Sequence, residues 1–452
     1  MATCDHPPMA EQVRALRFLV PDVAGAHLLL AADGSLPSRT VTLADDETTV
    51  QGAIRTMRDD FALDVPLLEV HFDYGFAHDD QGEGAVPALV VAEPPAEDWS
   101  PPDDVAWSPL ATADPAVESG LTGRLGELLA EHRGDLPIAS LRPRWARTGW
   151  HARATGWMFG KLDELGRPPT GPIEQVRHWG ISALMRAPTD GGSVWFKAVL
   201  PLFAVEPAIT ALLAQAAPEA VVPVLAHDDT QGWLLLEDVG STMVVDHAEA
   251  DAPTIAALVA LQRGLAGGLD DLAAVGAPRR PFGEVPDALD RALRDPETAG
   301  WVQLEPARID RLVSAARDAA ATIDALGFPE TVVHGDFHPA NVALRDGHPV
   351  IFDWSDGAIA HPIVDAMTWV SWLQDDDPER AERAWHTFLE AWSDVCPPET
   401  AEAARPALRV AAAAYHAVSY HAIVMHMEPH RRPETADGLE QYVRHLDEAV
   451  PR

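Results

Sequence analysis

The sequence predicts an α+β protein in consecutive parts: a mixed strand and helix module over 10–135, a helical connector over 136–174, an antiparallel-sheet lobe with its hinge over 175–240, and a mostly helical region over 241–452. Three patterns carry this. Short apolar runs at 26–32 and 86–92 flank a segment, 46–63, in which Val50, Ile54, Met57 and Phe61 recur at helical spacing. From Gln175 onward, Val176–Leu184, Met185–Ala187 and Ser193–Val199 alternate or run apolar around the turn 189–192, as strands of a hairpin do. Beyond Gly240 the apolar period is helical, over 252–266, 305–326, 378–395, 401–427 and 434–449.

At 452 residues and 47 % hydrophobic content, the chain is long enough for two or three domains with cores of their own. Cys4 and Cys396 are too few and too far apart for a disulfide framework or a metal knuckle, which fits a reducing cytoplasm. The apolar run 18–32 is broken by Pro21, Asp22 and His27, so a secretory core or a membrane span is not expected there. A formal net charge of −37, from 33 Lys plus Arg against 70 Asp plus Glu, argues against a nucleic-acid partner. The same charge suits a cationic substrate by steering, and equally suits plain solubility.

The chemistry concentrates between 332 and 356. There the chain reads Val-Val-His334-Gly335-Asp336-Phe337-His338-Pro339-Ala340-Asn341-Val342, a turn, and then Val350-Ile351-Phe352-Asp353-Trp354-Ser355-Asp356. Phosphoryl transfer from ATP needs a carboxylate to accept the attacking hydroxyl's proton. It also needs an amide and a second carboxylate to hold magnesium against the phosphates. Asp336, Asn341 and Asp353 supply this set, and Asn341 follows Asp336 by the five residues of a kinase catalytic loop. His-Gly-Asp replaces the His-Arg-Asp of protein kinases, and Asp353-Trp354-Ser355 replaces Asp-Phe-Gly. In both respects the segment resembles the aminoglycoside phosphotransferase family of small-molecule kinases.

That resemblance implies a bilobal, protein-kinase-like fold and roles for further residues. Lys197, in the apolar strand Val194–Val199, would hold the nucleotide phosphates, because a lysine there is costly unless its ammonium is paired. Glu206, which opens the helical stretch that follows, is the candidate partner of Lys197. Gly180-Ile181-Ser182 stands where the phosphate-covering loop would be. Leu236, Glu237 and Asp238 would form the hinge whose backbone reads adenine. Asp365 matches a family aspartate that buttresses the loop. The implied cofactors are ATP and Mg2+, and the implied partner is a small-molecule hydroxyl acceptor such as an aminoglycoside, amino sugar, nucleoside antibiotic or related metabolite, which charge would allow to be cationic. The family's substrate-contacting residues lie in variable helices, so the acceptor stays open.

A second resemblance lies in 10–135. With Arg55 as the arginine of a Nudix box, Glu47 takes the upstream glutamate position, Asp59 and Asp60 the metal-binding pair, and Leu63 the apolar end. Val41, Thr56 and Ala62 depart from the pattern at two glycines and a glutamate. The expectation is a Nudix-like α/β/α module with a degenerate box, since without the carboxylate at 56 a metal-assisted diphosphate hydrolase loses a group that binds metal or activates water. Two other functional readings follow from these features: diphosphate hydrolysis by the N-terminal module, and a non-catalytic ATP-binding regulator. Trp145, Trp150 and Trp157 are expected to pack, as are Trp369, Trp372, Trp385 and Trp392. His416, His421 and His426 are spaced by five and cannot share a helix face, so no zinc site is expected of them.

Overall fold

The computed structural model describes residues 12–45, 47–72, 86–109, 127 and 129–451. Cys4 lies outside the described residues. The chain packs as two compact units that divide between Leu200 and Pro201.

In the first unit, β1 (Val13–Leu19), β3 (Ser38–Thr42), β4 (Leu67–Phe72) and β5 (Val86–Ala92) form a sheet of order β3-β1-β5-β4. β1 runs parallel to β5, and the other pairs are antiparallel. β2 (His27–Ala31) pairs with β6 (Val105–Pro109). Alternation along the strands builds two cores. Leu16, Phe18, Val70 and Val90 pack with Ala53, Met57 and Phe61 of α1 (Thr49–Phe61), whereas Leu19, Leu68, Leu89 and Val91 pack with Leu28, Leu30 and Leu129. Burying side chains such as Met57 and Phe61 contributes about 1.5–3 kcal/mol each.

α1 begins with a capping box, Thr48 and Gln51 satisfying each other's backbone N–H groups. It ends at Ala62 in the left-handed region, φ 50°, the conformation that favours glycine. The position where the box pattern has its second glycine is thus a helix C-cap. The box acids are engaged by arginines: Arg55 donates to both Glu47 oxygens at 2.8 Å, and Arg39 donates to Asp60 at 2.9 Å and to Asp104 at 2.8 Å.

β7 (Glu174–His178), β8 (Ser182–Thr189) and β9 (Gly192–Val199) follow as an antiparallel meander after α2 (Trp150–Glu164). The Thr48 hydroxyl donates to the Val176 carbonyl at 2.6 Å, and the Gln175 amide exchanges hydrogen bonds of 2.9 and 3.0 Å with the Leu67 backbone. The meander is therefore stitched to the N-terminal sheet. Trp145 and Trp150 are buried, and Trp150 and Trp157 pack on Phe196 with ring centroids 6.1 and 5.9 Å away.

The second unit starts with α3 (Glu206–Ala216) and the hairpin of β10 (Val224–Asp228) and β11 (Trp233–Glu237). It continues through α4 (Asp251–Leu265), α5 (Val285–Leu293), α6 (Pro306–Asp324), α7 (Ile363–Leu373), α8 (Pro378–Ala391), α9 (Pro398–Met425) and α10 (Pro433–Ala449). Two small ladders interrupt the helices: β12 (Thr331–Val333) with β15 (Ala358–Ala360), and β13 (Val342–Arg345) with β14 (His348–Ile351). They pin the chain on both sides of 334–341 and of 352–357. Trp369, Trp385 and Trp392 are core residues, but Trp372 is 37 % exposed, because its position on α7 turns it out of the helix core. Among the described residues, no helix is long and apolar enough to cross a membrane.

Candidate active site

β12 delivers the chain into the loop 334–341 and β15 receives it after 357, so Gly335 and Asp356 are brought edge to edge. Gly335 has φ +82°, and an ideal Cβ there would lie 2.5 Å from the Asp356 carbonyl oxygen. Only glycine fits this crossing, which accounts for His-Gly-Asp in place of a bulkier middle residue.

Asp365, at the start of α7, is fully buried and fastens the loop. Its Oδ2 accepts the His334 N–H at 2.9 Å and the Gln262 amide at 2.8 Å, and its Oδ1 accepts the Gly335 N–H at 2.9 Å. Burial pushes this carboxyl up to about 7 against those donors. The buttress expected of Asp365 is therefore present, and it caps the 334–341 loop rather than its own helix.

His334, also fully buried, donates from Nε2 to the Phe352 carbonyl at 2.8 Å and accepts the Asp336 N–H on Nδ1 at 3.3 Å. Burial keeps it below the ordinary histidine range, so it bridges the loop to the 352–356 segment as a neutral ring. Asn341 donates from Nδ2 to the Asp336 carbonyl at 3.0 Å and lies 3.3 Å from Asp336 Oδ2. Its own carbonyl accepts the Phe352 N–H at 3.1 Å. The expected base and the expected amide are thus side by side. His338 Nε2 is 3.4 Å from Asp336 Oδ2 and 3.1 Å from Asn341 Nδ2, and its ring stacks on Trp372 at 5.6 Å. Burial works to raise Asp336, yet the neighbouring His338 outweighs burial and holds the carboxyl well below its usual range. Asp336 is an ionised acceptor at neutral pH.

Asp353 takes φ +64°, an uncommon conformation for a residue with a side chain, and one that clusters at functional sites. The Ser355 hydroxyl donates to Asp353 Oδ1 at 2.6 Å, and Glu206 Oε2 lies 3.1 Å from the same hydroxyl. Glu206 itself is 1 % exposed, on the first turn of α3. The sequence singled out neither Ser355 nor Asp356. Burial raises Asp356 to about 7 even with Arg280 4.0 Å away.

The remaining expected residues fall on both units. In the first, Ser182 opens β8 and Lys197 sits on β9 opposite Leu184, so the two occupy adjacent strands. Lys197 is 2 % exposed. In the second, Leu236 is buried at the end of β11 and Asp238 caps the Gly240 N–H at 2.9 Å. The Glu237 N–H is already committed to the Pro223 carbonyl at 3.0 Å, so that donor is not free for a base. His416 is buried, His421 half-buried and His426 exposed, as five-residue spacing dictates.

Residues 201–398 are matched by the model of the phosphotransferase enzyme family. That segment belongs to the phosphotransferase enzyme family. It contains the loop, the ladders and the Asp365 buttress described above. No curated protein matches the chain significantly. Among solved structures, the chain is similar to the aminoglycoside phosphotransferase APH(2")-IIia in its GDP and kanamycin complex, at 13 % identity, covering 65 % of this chain and 98 % of that one, with a TM-score of 0.47. It is similar to a choline/ethanolamine kinase family protein from Mesorhizobium loti at 18 % identity, 66 % and 99 % coverage and a TM-score of 0.45. It is also similar to the choline kinase LicA from Streptococcus pneumoniae at 14 % identity, 66 % and 99 % coverage and a TM-score of 0.45.

Proposed function

We propose that this chain is an ATP-dependent phosphotransferase that phosphorylates a hydroxyl group of a small molecule. The observation that carries the reading is the loop in which an ionised Asp336 and Asn341 touch while Asp353, at φ +64°, follows Phe352, whose N–H donates to the Asn341 carbonyl at 3.1 Å. Asp336 orients the acceptor hydroxyl and takes its proton as the oxygen attacks the terminal phosphoryl group. The Asn341 amide oxygen and the Asp353 carboxylate are hard oxygen donors of the kind Mg2+ takes, and they would hold it. Bound there, the ion would neutralise charge on the nucleotide phosphates. Lys197 would bind those phosphates, with Glu206 as the acidic partner proposed for it, and Ser182 would belong to the loop covering them. The backbone of 236–238 would meet the adenine, through groups other than the Glu237 N–H.

The acceptor is assigned to a cleft of about 550 Å³ framed by α7, α9 and α10. Met367, Val370, Arg409, His416, Tyr442 and Arg444 are among its lining residues. The opposite face of α7 packs on the catalytic loop, Trp369 on Phe337 at 4.7 Å and Trp372 on His338. α7 thus carries both a wall of the cleft and the residues that pack on the loop of Asp336.

For 10–135 the reading is a Nudix-like module whose degenerate box is structural, because Glu47 and Asp60 are paired with arginines. Release of ADP from Mg-ATP across a panel of hydroxyl acceptors, with Asp336→Ala alongside, tests the whole assignment. Acceptor-dependent release that vanishes in the variant supports it. Release that persists in Asp336→Ala, or diphosphate cleavage that requires Asp59 and Asp60, contradicts it.

A further inference from the structure

We infer that His338 is a positioning residue for the base: it holds one oxygen of Asp336 while the indole of Trp372 holds its ring, and Asp336 Oδ1 is left as the oxygen that meets the acceptor hydroxyl. This deepens the kinase reading and takes Asp336 as the base from it. The two oxygens of Asp336 stand in different surroundings. Asn341 Nδ2, at 3.3 Å, and His338 Nε2, at 3.4 Å, converge on Oδ2. Among the described residues, nothing donates to Oδ1. The Asp336 side chain is 36 % exposed against 11 % for His338, so the base opens outward while the group behind it is covered.

Which nitrogen of His338 carries the proton follows from what surrounds each. Nδ1 is buried and has no hydrogen-bond partner among the described residues, so a proton there would be an unmatched buried donor, a costly arrangement. On Nε2 the proton faces the Asp336 carboxylate, and Nδ1 keeps only a lone pair. Asn341 Nδ2 lies 3.1 Å from Nε2, but it has the Asp336 carbonyl, at 3.0 Å, and Oδ2 for its own two hydrogens. Nε2 is therefore the donor. A contact of 3.4 Å is long, as such bonds are before a substrate tightens them.

A ring that donates in one direction has to be kept from turning. The His338 carbonyl accepts the Asn341 N–H at 2.9 Å, which fixes the backbone. The imidazole lies flat on Trp372, the two planes 8° apart and the centroids 5.6 Å apart. Trp372 belongs to the few large hydrophobic side chains left exposed, and this stack gives the indole its use: it covers the imidazole and keeps water from competing for Oδ2. The acceptor proton then passes to Oδ1 as the acceptor oxygen bonds to the terminal phosphorus and the bond from that phosphorus to ADP breaks.

The test has one arm that needs no acceptor. Long-range proton–nitrogen-15 spectra of the full-length protein, labelled in histidine and with the His338 signals assigned by their loss in His338→Gln, read which ring nitrogen is protonated. The inference expects a proton on Nε2; a bare Nε2 overturns it, whatever the enzyme turns over. The second arm is ADP release from Mg-ATP with whichever of kanamycin, choline or homoserine supports Asp336-dependent turnover. His338→Leu and His338→Asn should lower kcat about 10- to 100-fold, as loss of a hydrogen bond to a charged group implies, because asparagine reaches only the place of Nδ1. His338→Gln, whose amide nitrogen reaches the place of Nε2, should stay within about fivefold of the wild type, and KM for ATP should stay within about twofold throughout. Trp372→Leu should lower kcat as well and add nothing further to His338→Leu. An unchanged kcat in His338→Leu, equal losses in the asparagine and glutamine variants, or a Trp372→Leu loss that adds in full overturns the inference. Phosphate transfer that ignores Asp336 removes the kinase reading and the role of Oδ1 with it, while the spectrum still decides the hold on Oδ2.

Discussion

Gly335→Ala concentrates the structural account in one methyl group. Gly335 has φ +82°, where an L side chain costs about 1–2 kcal/mol. Its new Cβ would sit 2.5 Å from the Asp356 carbonyl oxygen and 2.8 Å from the Asp356 Cβ, so the two segments must separate by the better part of an ångström. Neither can yield cheaply: the Gly335 N–H is held by Asp365, and residues 358–360 are paired with 331–333. Overpacking of this kind adds about 1–3 kcal/mol, for a total of about 2–5 kcal/mol. Because Asp336 is the next residue, a displacement near 1 Å also predicts a loss of turnover on the order of 100-fold. Gly327→Ala is the control, since φ there is +79° but nothing lies within 4 Å of the added carbon. It should cost only the backbone strain, about 1–2 kcal/mol, and leave turnover within about twofold. Urea unfolding and ADP release measure both. Equal stabilities and equal rates for the two variants would refute the claim that the 335–356 crossing sets the base.

Three further outcomes are expected. Asp356 is raised to about 7 in the fold from the ordinary carboxylate range, so the folded state holds a proton that the unfolded chain gives up. Unfolding free energy therefore falls as pH rises from about 4 to about 7, and Asp356→Asn should flatten that fall over the same range, leaving the slope due to Asp365; an unchanged slope in chemical denaturation would count against it. Joint Asp59→Asn and Asp60→Asn substitution should leave acceptor-dependent ADP release within about twofold, as expected for exposed groups outside the site; a larger drop would bring the N-terminal module into the reaction. Glu47→Gln weakens a partly exposed pair with Arg55, so thermal unfolding should report a loss of about 1 kcal/mol or less, and a larger loss would give Glu47 a role beyond that pair.

The parts of the site legible in the sequence are those that one short loop carries within itself. Asp336 and Asn341 are five residues apart and end in contact, and the hydrophobic period placed α1, α4, α6 and α8–α10 to within a few residues. What sequence order hides is what distant segments supply. Gln262 completes the Asp365 acceptor set from α4, Arg280 approaches Asp356 from another segment, and Glu206 meets the Ser355 hydroxyl 149 positions away. No local pattern announces such pairs. A signal existed for one feature that sequence reasoning missed. α5 buries Val285, Leu289, Ala292 and Leu293 at helical spacing, behind a proline that belongs to its first turn. The middle residue of His-Gly-Asp had to be glycine because another backbone passes beside it, a constraint invisible until Asp356 is in place.

The most direct measurement follows the phosphorus. With Mg-ATP and an acceptor that supports ADP release, phosphorus-31 NMR should show a new phosphomonoester growing as ATP declines. In Asp336→Asn that signal should fall by a factor of about 10² to 10⁴ while nucleotide binding persists. Inorganic phosphate as the sole product, or a phosphomonoester that forms equally fast in Asp336→Asn, would contradict the account.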